Sequence, residues 1–177
     1  DPSGRLLYYE GTVEDITERK NHSEVIEYKV THDELTDLPN RTLLKDRLQQ
    51  AINSADRSKS RLAIVFVDLD QFKNVNDSLG HQAGDLLLIA MANRLRGCIR
   101  DCDTVARPGG DEFVLVLSNL NSLEGLSQTL QRILEAVSEP CIIDQREFNV
   151  TCSLGISMYP NDGSDSETLL KNADTAM

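Results

Sequence analysis

Two short acidic turns, each set against one end of an apolar run, constrain this chain more than any other feature. Leu62-Ala63-Ile64-Val65-Phe66-Val67 leads into Asp68-Leu69-Asp70, and Gly109-Gly110-Asp111-Glu112 leads into Phe113-Val114-Leu115-Val116-Leu117. The runs read as strands, the first apolar throughout and so suited to a central position covered on both faces. Carboxylates gathered at neighbouring strand ends repel one another, and a cation is the usual means of offsetting that repulsion. Two glycines beside one cluster let a backbone approach phosphate oxygens closely. Carboxylates, a hard cation and a bare turn suit the handling of a nucleoside triphosphate.

The elements around these turns alternate in type. A helix is expected from about Arg41 to Ser54, with Leu43, Leu44, Leu48 and Ile52 at helical spacing. After the strand at 61–67 come a short helix at about 71–78 and a longer one at about 82–99 striped by Leu87, Met91 and Leu95. Strands at about 103–107 and 112–117 form a hairpin around the glycines, and a helix at about 123–138 follows. Phe148, Val150, Cys152, Leu154, Ile156 and Met158 alternate without a break and predict one strand with one buried face; a last helix begins near Ser166. The order predicts an α+β fold, a ferredoxin-like βαββαβ sandwich with a central antiparallel sheet, in which Asp68 and Asp111 converge. Residues 5–13 read as a further strand, and the polar stretch to about Thr31 as a helical linker.

A net charge of -11 excludes broad nucleic-acid polymer binding, which needs phosphate-neutralising basic surfaces. Cys98, Cys102, Cys141 and Cys152 show neither C-x-x-C pairs nor zinc spacing. Cys141 and Cys152 read as small core hydrophobes, and the pattern implies a reducing, cytoplasmic compartment. No stretch reaches the roughly 20 apolar residues of a membrane span, and no signal peptide is visible. The chain opens on Asp1-Pro2-Ser3-Gly4 and stops inside an apparent helix at Met177, which reads as a fragment whose parent protein has room for a membrane anchor elsewhere.

Several ordered motifs carry a resemblance. Phe66 through Asp77, Gly80-His81-Gln82-Ala83-Gly84-Asp85, and Arg107-Pro108-Gly109-Gly110-Asp111-Glu112-Phe113 resemble the GGDEF family of diguanylate cyclases. Thr31 through Arg41, Ser153-Leu154-Gly155-Ile156-Ser157 and Ala173-Asp174-Thr175-Ala176-Met177 match its other segments. The resemblance implies a cyclase or polymerase palm-like domain over residues 32–177 with its last helix truncated. Gly11 through Lys20 is similar, more briefly, to the exit of a PAS sensor domain, which implies a PAS-like tail over 1–18 and a linker over 19–31.

Members of this family condense two GTP into cyclic di-GMP, two domains meeting face to face as a homodimer. By matching position, the resemblance implies that Asp68, the Leu69 carbonyl and Asp111 hold Mg²⁺ or Mn²⁺, with Glu112 supporting the metal site. Asn76 and Asp85 match the guanine-reading pair; Phe72, through its backbone N–H, and Lys73, through its ammonium, match phosphate contacts at a helix start, and Gly109 and Gly110 are implied to bind substrate as well. Arg100-Asp101-Cys102-Asp103 fits the inhibitory R-x-x-D motif, implying product feedback through Arg100 and Asp103. On the residues alone, Asp68 and Asp70 also suit helix N-caps, Asn76 a helix C-terminus, Lys73 a solvated charge and Arg100–Asp103 a surface pair; His81 reads as structural. Pro108 stands where the family usually has an aromatic or aliphatic residue, and its fixed φ and missing N–H imply a shifted hairpin and lower activity. The family's Lys and Arg in the closing helix lie beyond Met177. The leading expectation is a diguanylate cyclase gated by an upstream sensor. Its alternatives are a GTP- or cyclic di-GMP-sensing module regulating a downstream phosphodiesterase, and a mononucleotide cyclase or palm-like polymerase.

Overall fold

The computed structural model describes Gly11, Asp15 and residues 28–120, 122–143 and 146–177. The strand expected at 5–13 and most of the expected linker lie outside the described residues. Thr31–Met177 forms one compact unit. Its elements are α1 (Arg41–Ser58), β1 (Arg61–Leu69), α2 (Phe72–Leu79), α3 (His81–Gly97), β2 (Thr104–Gly109), β3 (Glu112–Leu120), α4 (Leu123–Ser138), β4 (Cys141–Ile143), β5 (Arg146–Phe148), β6 (Cys152–Tyr159) and α5 (Ser166–Ala176).

The main sheet runs in the order β2-β3-β1-β6 with antiparallel neighbours, the split βαββαβ arrangement expected from the element order. Alternate residues of β1 serve opposite layers, which explains its unbroken apolar run. Ala63, Val65, Val67 and Leu69 pack with Leu87, Met91 and Leu95 of α3 and Ile133 and Val137 of α4. Leu62 and Ile64 join Leu44, Leu48 and Ile52 of α1 and Leu169 and Ala173 of α5. The second layer is therefore built by the helices outside the βαββαβ plan.

Local chemistry sets the helix ends. The Asn40 side chain accepts from the Thr42 and Leu43 amides to start α1, and Lys59, left-handed at φ 53°, ends it. α1 thus runs four residues past the Ser54 expected from its apolar stripe. Ser122 caps α4 through the Gly125 amide and Asp165 caps α5 through Glu167 and Thr168.

The alternating run from Phe148 to Met158 is two elements rather than one strand. Phe148 pairs with Cys141 in the separate β4–β5 hairpin, and β6 begins only at Cys152. Between them Val150 is buried, and the Thr151 carbonyl accepts from the Asp70 amide. A buried residue in a connecting loop mimics strand alternation, because period two records burial and not hydrogen bonding.

Gly155 of β6 lets α5 lie against the sheet. A Cβ there would stand 2.0 Å from the Ala173 carbonyl oxygen and 2.7 Å from the Met177 amide nitrogen, both rigid backbone. Gly155→Ala is expected to lower unfolding free energy by about 1–3 kcal/mol, read by urea titration. Gly97→Ala, where an added Cβ meets nothing within 4 Å, is the control and leaves the midpoint level or higher.

Candidate functional site

The β1–β3 register sets Asp68 directly opposite Glu112, and the β1–β6 register sets Asp68 opposite Ser153 and Leu69 opposite Cys152. Asp68 and Glu112 share the face of the sheet that α1 and α5 cover, two residues beyond Phe66 and before Val114. Asp111 occupies the turn that closes β2 onto β3. The turn requires its glycines: Gly109 has φ 154° and Gly110 φ 60°, both in the region L side chains avoid. The space a side chain would fill at either glycine is open, so their backbone faces outward uncovered.

Electrostatics mark this end of the sheet as short of positive charge. Burial, then the charges of Asp111 and Asp70, push the Asp68 carboxyl above its ordinary 3.8. Burial, then Asp174, Asp111 and Asp68, push Glu112 above its ordinary 4.5, with Arg41 the opposing charge. The neighbouring Cys152 thiol is pushed up to about 11 by burial and by Asp70 and Asp68. Among the described residues, no three His, Cys, Asp or Glu side chains are arranged to hold an ion by themselves. The donor set nonetheless fits a hard divalent cation: Asp68, Asp111 and the Leu69 carbonyl are all oxygen, and phosphate oxygens or water complete such a shell. A 530 Å³ cavity on the α1/α5 side of Glu112 is lined in part by Arg41, Lys45, Lys171 and Asp174.

Asp70 has a structural task, though not the helix cap expected of it. Its carboxylate accepts from Thr151 Oγ1 at 2.5 Å and Ser153 Oγ at 2.9 Å, tying the end of β1 to the start of β6. The N-cap of α2 is Gln71, left-handed at φ 59°, with no side-chain capping bond. The first amides of α2, at Phe72 and Lys73, therefore lack a side-chain cap, as an anion site needs. Lys73 is exposed and Phe72 is half-buried against the core. Asn76 on α2 and Asp85 on α3 lie on either side of the Gly80 corner, and Asp85 is exposed. Asn76 Oδ1 is buried with no hydrogen-bond partner among the described residues.

Arg107 is a residue whose part the sequence reading missed. Between the pairs Ala106↔Val114 and Gly109↔Glu112, Arg107 and Pro108 together oppose Phe113 alone, which is a β-bulge. The bulge absorbs Pro108, since no ladder bond needs its missing N–H, so the displacement expected of proline is confined to this point. Arg107 donates through Nε and Nη2 to the Gly110 carbonyl at 2.9 and 2.6 Å and through Nη1 to Asp33 Oδ1 at 2.8 Å. Its amide donates to the Pro39 carbonyl. Asp33 also accepts from the Thr36 amide and hydroxyl, and the pair is nearly buried, with side chains 10% and 19% exposed. Burial works against the Asp33 carboxylate, but the bonds from Thr36 and Arg107 outweigh it and hold the group below its ordinary 3.8. The visible signal was an Arg two residues before the first glycine of the turn, together with an Asp three residues before a Thr.

Arg100 and Asp103 lie at the opposite end of β2, roughly 20 Å from the hairpin tip over its six residues. Asp103 accepts from the Arg100 amide at 3.1 Å through Oδ2 and from the Ser118 amide at 2.9 Å through Oδ1. It also borders a 690 Å³ cavity that Arg47 and Arg57 of α1 help to line, whereas Arg100 is not among its walls.

Comparison with known proteins adds to this geometry. The model of the family "Diguanylate cyclase, GGDEF domain" matches residues 30–177. The bifunctional diguanylate cyclase/cyclic di-GMP phosphodiesterase MucR of Pseudomonas aeruginosa is 47% identical over 146 residues, 82% of this chain and 21% of that protein. The cyclic di-GMP phosphodiesterase PdeR of Escherichia coli is 40% identical over 163 residues, 92% of this chain and 24% of that protein. The chain thus spans about a quarter or less of these curated relatives. Among solved structures, the GGDEF domain of TpbB (YfiN) from Pseudomonas aeruginosa superposes with a TM-score of 0.79 at 39% identity, covering 82% of this chain and 85% of that one.

Two predictions follow from the charges. Asp111 raises both Asp68 and Glu112, so Asp111→Asn is expected to raise the melting temperature in EDTA while abolishing stabilisation by Mg²⁺. With raised folded values, these carboxylates destabilise the metal-free fold at neutral pH, and the penalty fades as pH falls through them. Asp33 has the opposite sign: its contribution is present above 3.8 and is lost as pH falls through its lowered value. Arg107→Ala leaves that carboxylate buried and unpaired and is expected to cost about 3 kcal/mol by denaturant titration at pH 7.

Proposed function

The chain belongs to the GGDEF diguanylate cyclase domain family, and from that premise we propose that it holds one GTP beside a divalent cation. Paired with a second copy, it condenses two GTP into cyclic di-GMP and pyrophosphate. The observation that carries this reading is the opposition of Asp68 and Glu112 across β1 and β3, with Asp111 on an open glycine turn beside them.

Asp68, the Leu69 carbonyl and Asp111 would hold Mg²⁺ or Mn²⁺, and Glu112 supports that shell. Bound there, the ion would neutralise triphosphate charge and lower the pKa of the attacking 3′-hydroxyl. Asn76 and Asp85 bind the guanine edge, the carboxylate accepting from N1 and N2. The Phe72 amide and the Lys73 ammonium hold phosphate oxygens at the start of α2. Gly109 and Gly110 keep the hairpin tip bare, so a nucleotide on a facing domain can approach Asp111 and Glu112. One domain carries one set of these groups, and a homodimer completes the reaction centre. Arg100 and Asp103 are assigned to feedback by cyclic di-GMP, with Asp103 already oriented by the Arg100 and Ser118 amides.

A second reading is favoured by the similarity to PdeR, named a phosphodiesterase, and to MucR, named as bifunctional. In it the domain binds GTP or cyclic di-GMP and regulates a phosphodiesterase domain of a longer protein, with residues 1–18 as the exit of a PAS-like sensor and 19–31 as the linker.

Incubation of concentrated protein with GTP and Mg²⁺, followed by nucleotide chromatography, separates the two. Cyclic di-GMP is expected, falling about 100-fold or more in Asp111→Ala. GTP retention without product in the wild-type chain would establish the sensor reading instead.

A further inference from the structure

The corner that carries Asn76 holds a close approach that the reading above leaves unused. α2 and α3 meet at Gly80 and close on one another at Gly84. A Cβ at Gly84 would stand 2.0 Å from Asn76 Oδ1, 3.0 Å from Asn76 Cγ and 3.1 Å from Phe72 Cζ. A Cβ and the amide oxygen cannot share that place, so an added Cβ must displace the Asn76 side chain, with Phe72 giving by a few tenths of an ångström. Asn76 Oδ1 is also the buried side-chain atom with no hydrogen-bond partner among the described residues. The two observations describe one slot. The amide oxygen is sunk against the Gly84 Cα, whose second hydrogen takes the direction a Cβ would have. An oxygen accepts a C–H in that position weakly, whereas an amide nitrogen would set hydrogen against hydrogen. The amide therefore enters oxygen first and turns Nδ2 away from the slot.

We propose that Gly84 is the specificity-determining positioning residue of the base site: by admitting the Asn76 oxygen, it fixes Nδ2 as a donor toward the bound base. Such a donor selects a purine with an acceptor at its 6-position, the oxo group of guanine, over one with a donor there, the amino group of adenine. A misplaced donor facing another donor leaves both unpaired, which discriminates by roughly 10- to 100-fold. The inference rests on the reading of Asn76 and Asp85 as the base-binding pair, and assigns Gly84 no contact with the nucleotide.

The test is equilibrium binding of GTP, ITP and ATP with Mg²⁺ to the whole chain, so that turnover is not needed. ITP keeps the 6-oxo group without the 2-amino group. The wild-type chain is expected to favour GTP and ITP over ATP by roughly 10- to 100-fold. Gly84→Ala is expected to narrow that preference to the share Asp85 keeps by accepting from N1–H, with ATP affinity changed by less than about twofold, while Gly84→Ala added to Asn76→Ala changes nothing further because no amide remains to displace. Asn76→Asp keeps the glycine and the slot but presents an oxygen outward, and is expected to shift the preference toward ATP. An undiminished GTP preference in a folded Gly84→Ala or in Asn76→Asp overturns the proposal, as does an equal effect of Gly84→Ala with and without the Asn76 amide. Should Gly84→Ala fail to fold, the Asn76→Asp result decides. A wild-type chain without preference for GTP overturns the base-pair reading itself, and the role of Gly84 with it.

Discussion

The antiparallel register of β1 and β3 is the constraint on which the rest of the molecule depends. It fixes one acidic residue opposite another, at a separation that side chains alone would not choose. The force that holds them there is hydrophobic and acts further along the same strands: Val65, Val67, Phe113 and Leu115 on one face, Ile64, Val114 and Val116 on the other, all buried. Stability is generated in the middle of the sheet and spent at one end. A slip of either strand by one residue would turn its carboxylate to the opposite layer, among α3 and α4. The site is therefore as well specified as the core, although its own interactions are repulsive.

Attraction also reaches this end of the sheet, through Arg107. Its guanidinium joins the hairpin carbonyl of Gly110 to Asp33, while its amide holds the Pro39 carbonyl. Two contributions of opposite sign thus meet within a few residues. The Asp33–Arg107 pair is compensated and nearly buried, whereas Asp68, Asp111 and Glu112 repel one another, with Arg41 the opposing charge at Glu112. Placing a satisfied ion pair behind an unsatisfied cluster anchors the turn without neutralising what it presents.

The features legible in the sequence were those written in local order. The apolar run of β1, the acidic strand ends, the glycine turn and the bounds of α4 all follow from nearest-neighbour chemistry and periodicity. The features that escaped depend on residues far apart in the chain. Asp70 looked like a helix cap but is claimed by Thr151 and Ser153. Asp103 looked like one member of an exposed pair but spends its oxygens on two backbone amides, one of them fifteen residues away. Val150 looked like a strand residue because its loop is buried. The register shift expected at Pro108 is there, but its form, a bulge, is a property of two strands and cannot be seen in one. Gly84 lay inside a motif already quoted, yet its meaning is a distance to Asn76 that only the packing of two helices creates.

The bulge at Arg107 and Pro108 has a consequence for assembly. β2 is an edge strand of the main sheet, and open edges invite a neighbouring chain to pair through unsatisfied amides. Here one amide is missing, at Pro108, and the next, at Arg107, is already given to Pro39. The tip of this edge is blunted where the acidic turn begins, so copies of the domain have no continuous ladder to extend at β2. At this tip a second molecule would meet the faces of the hairpin and not a strand edge that a shared sheet could grow from.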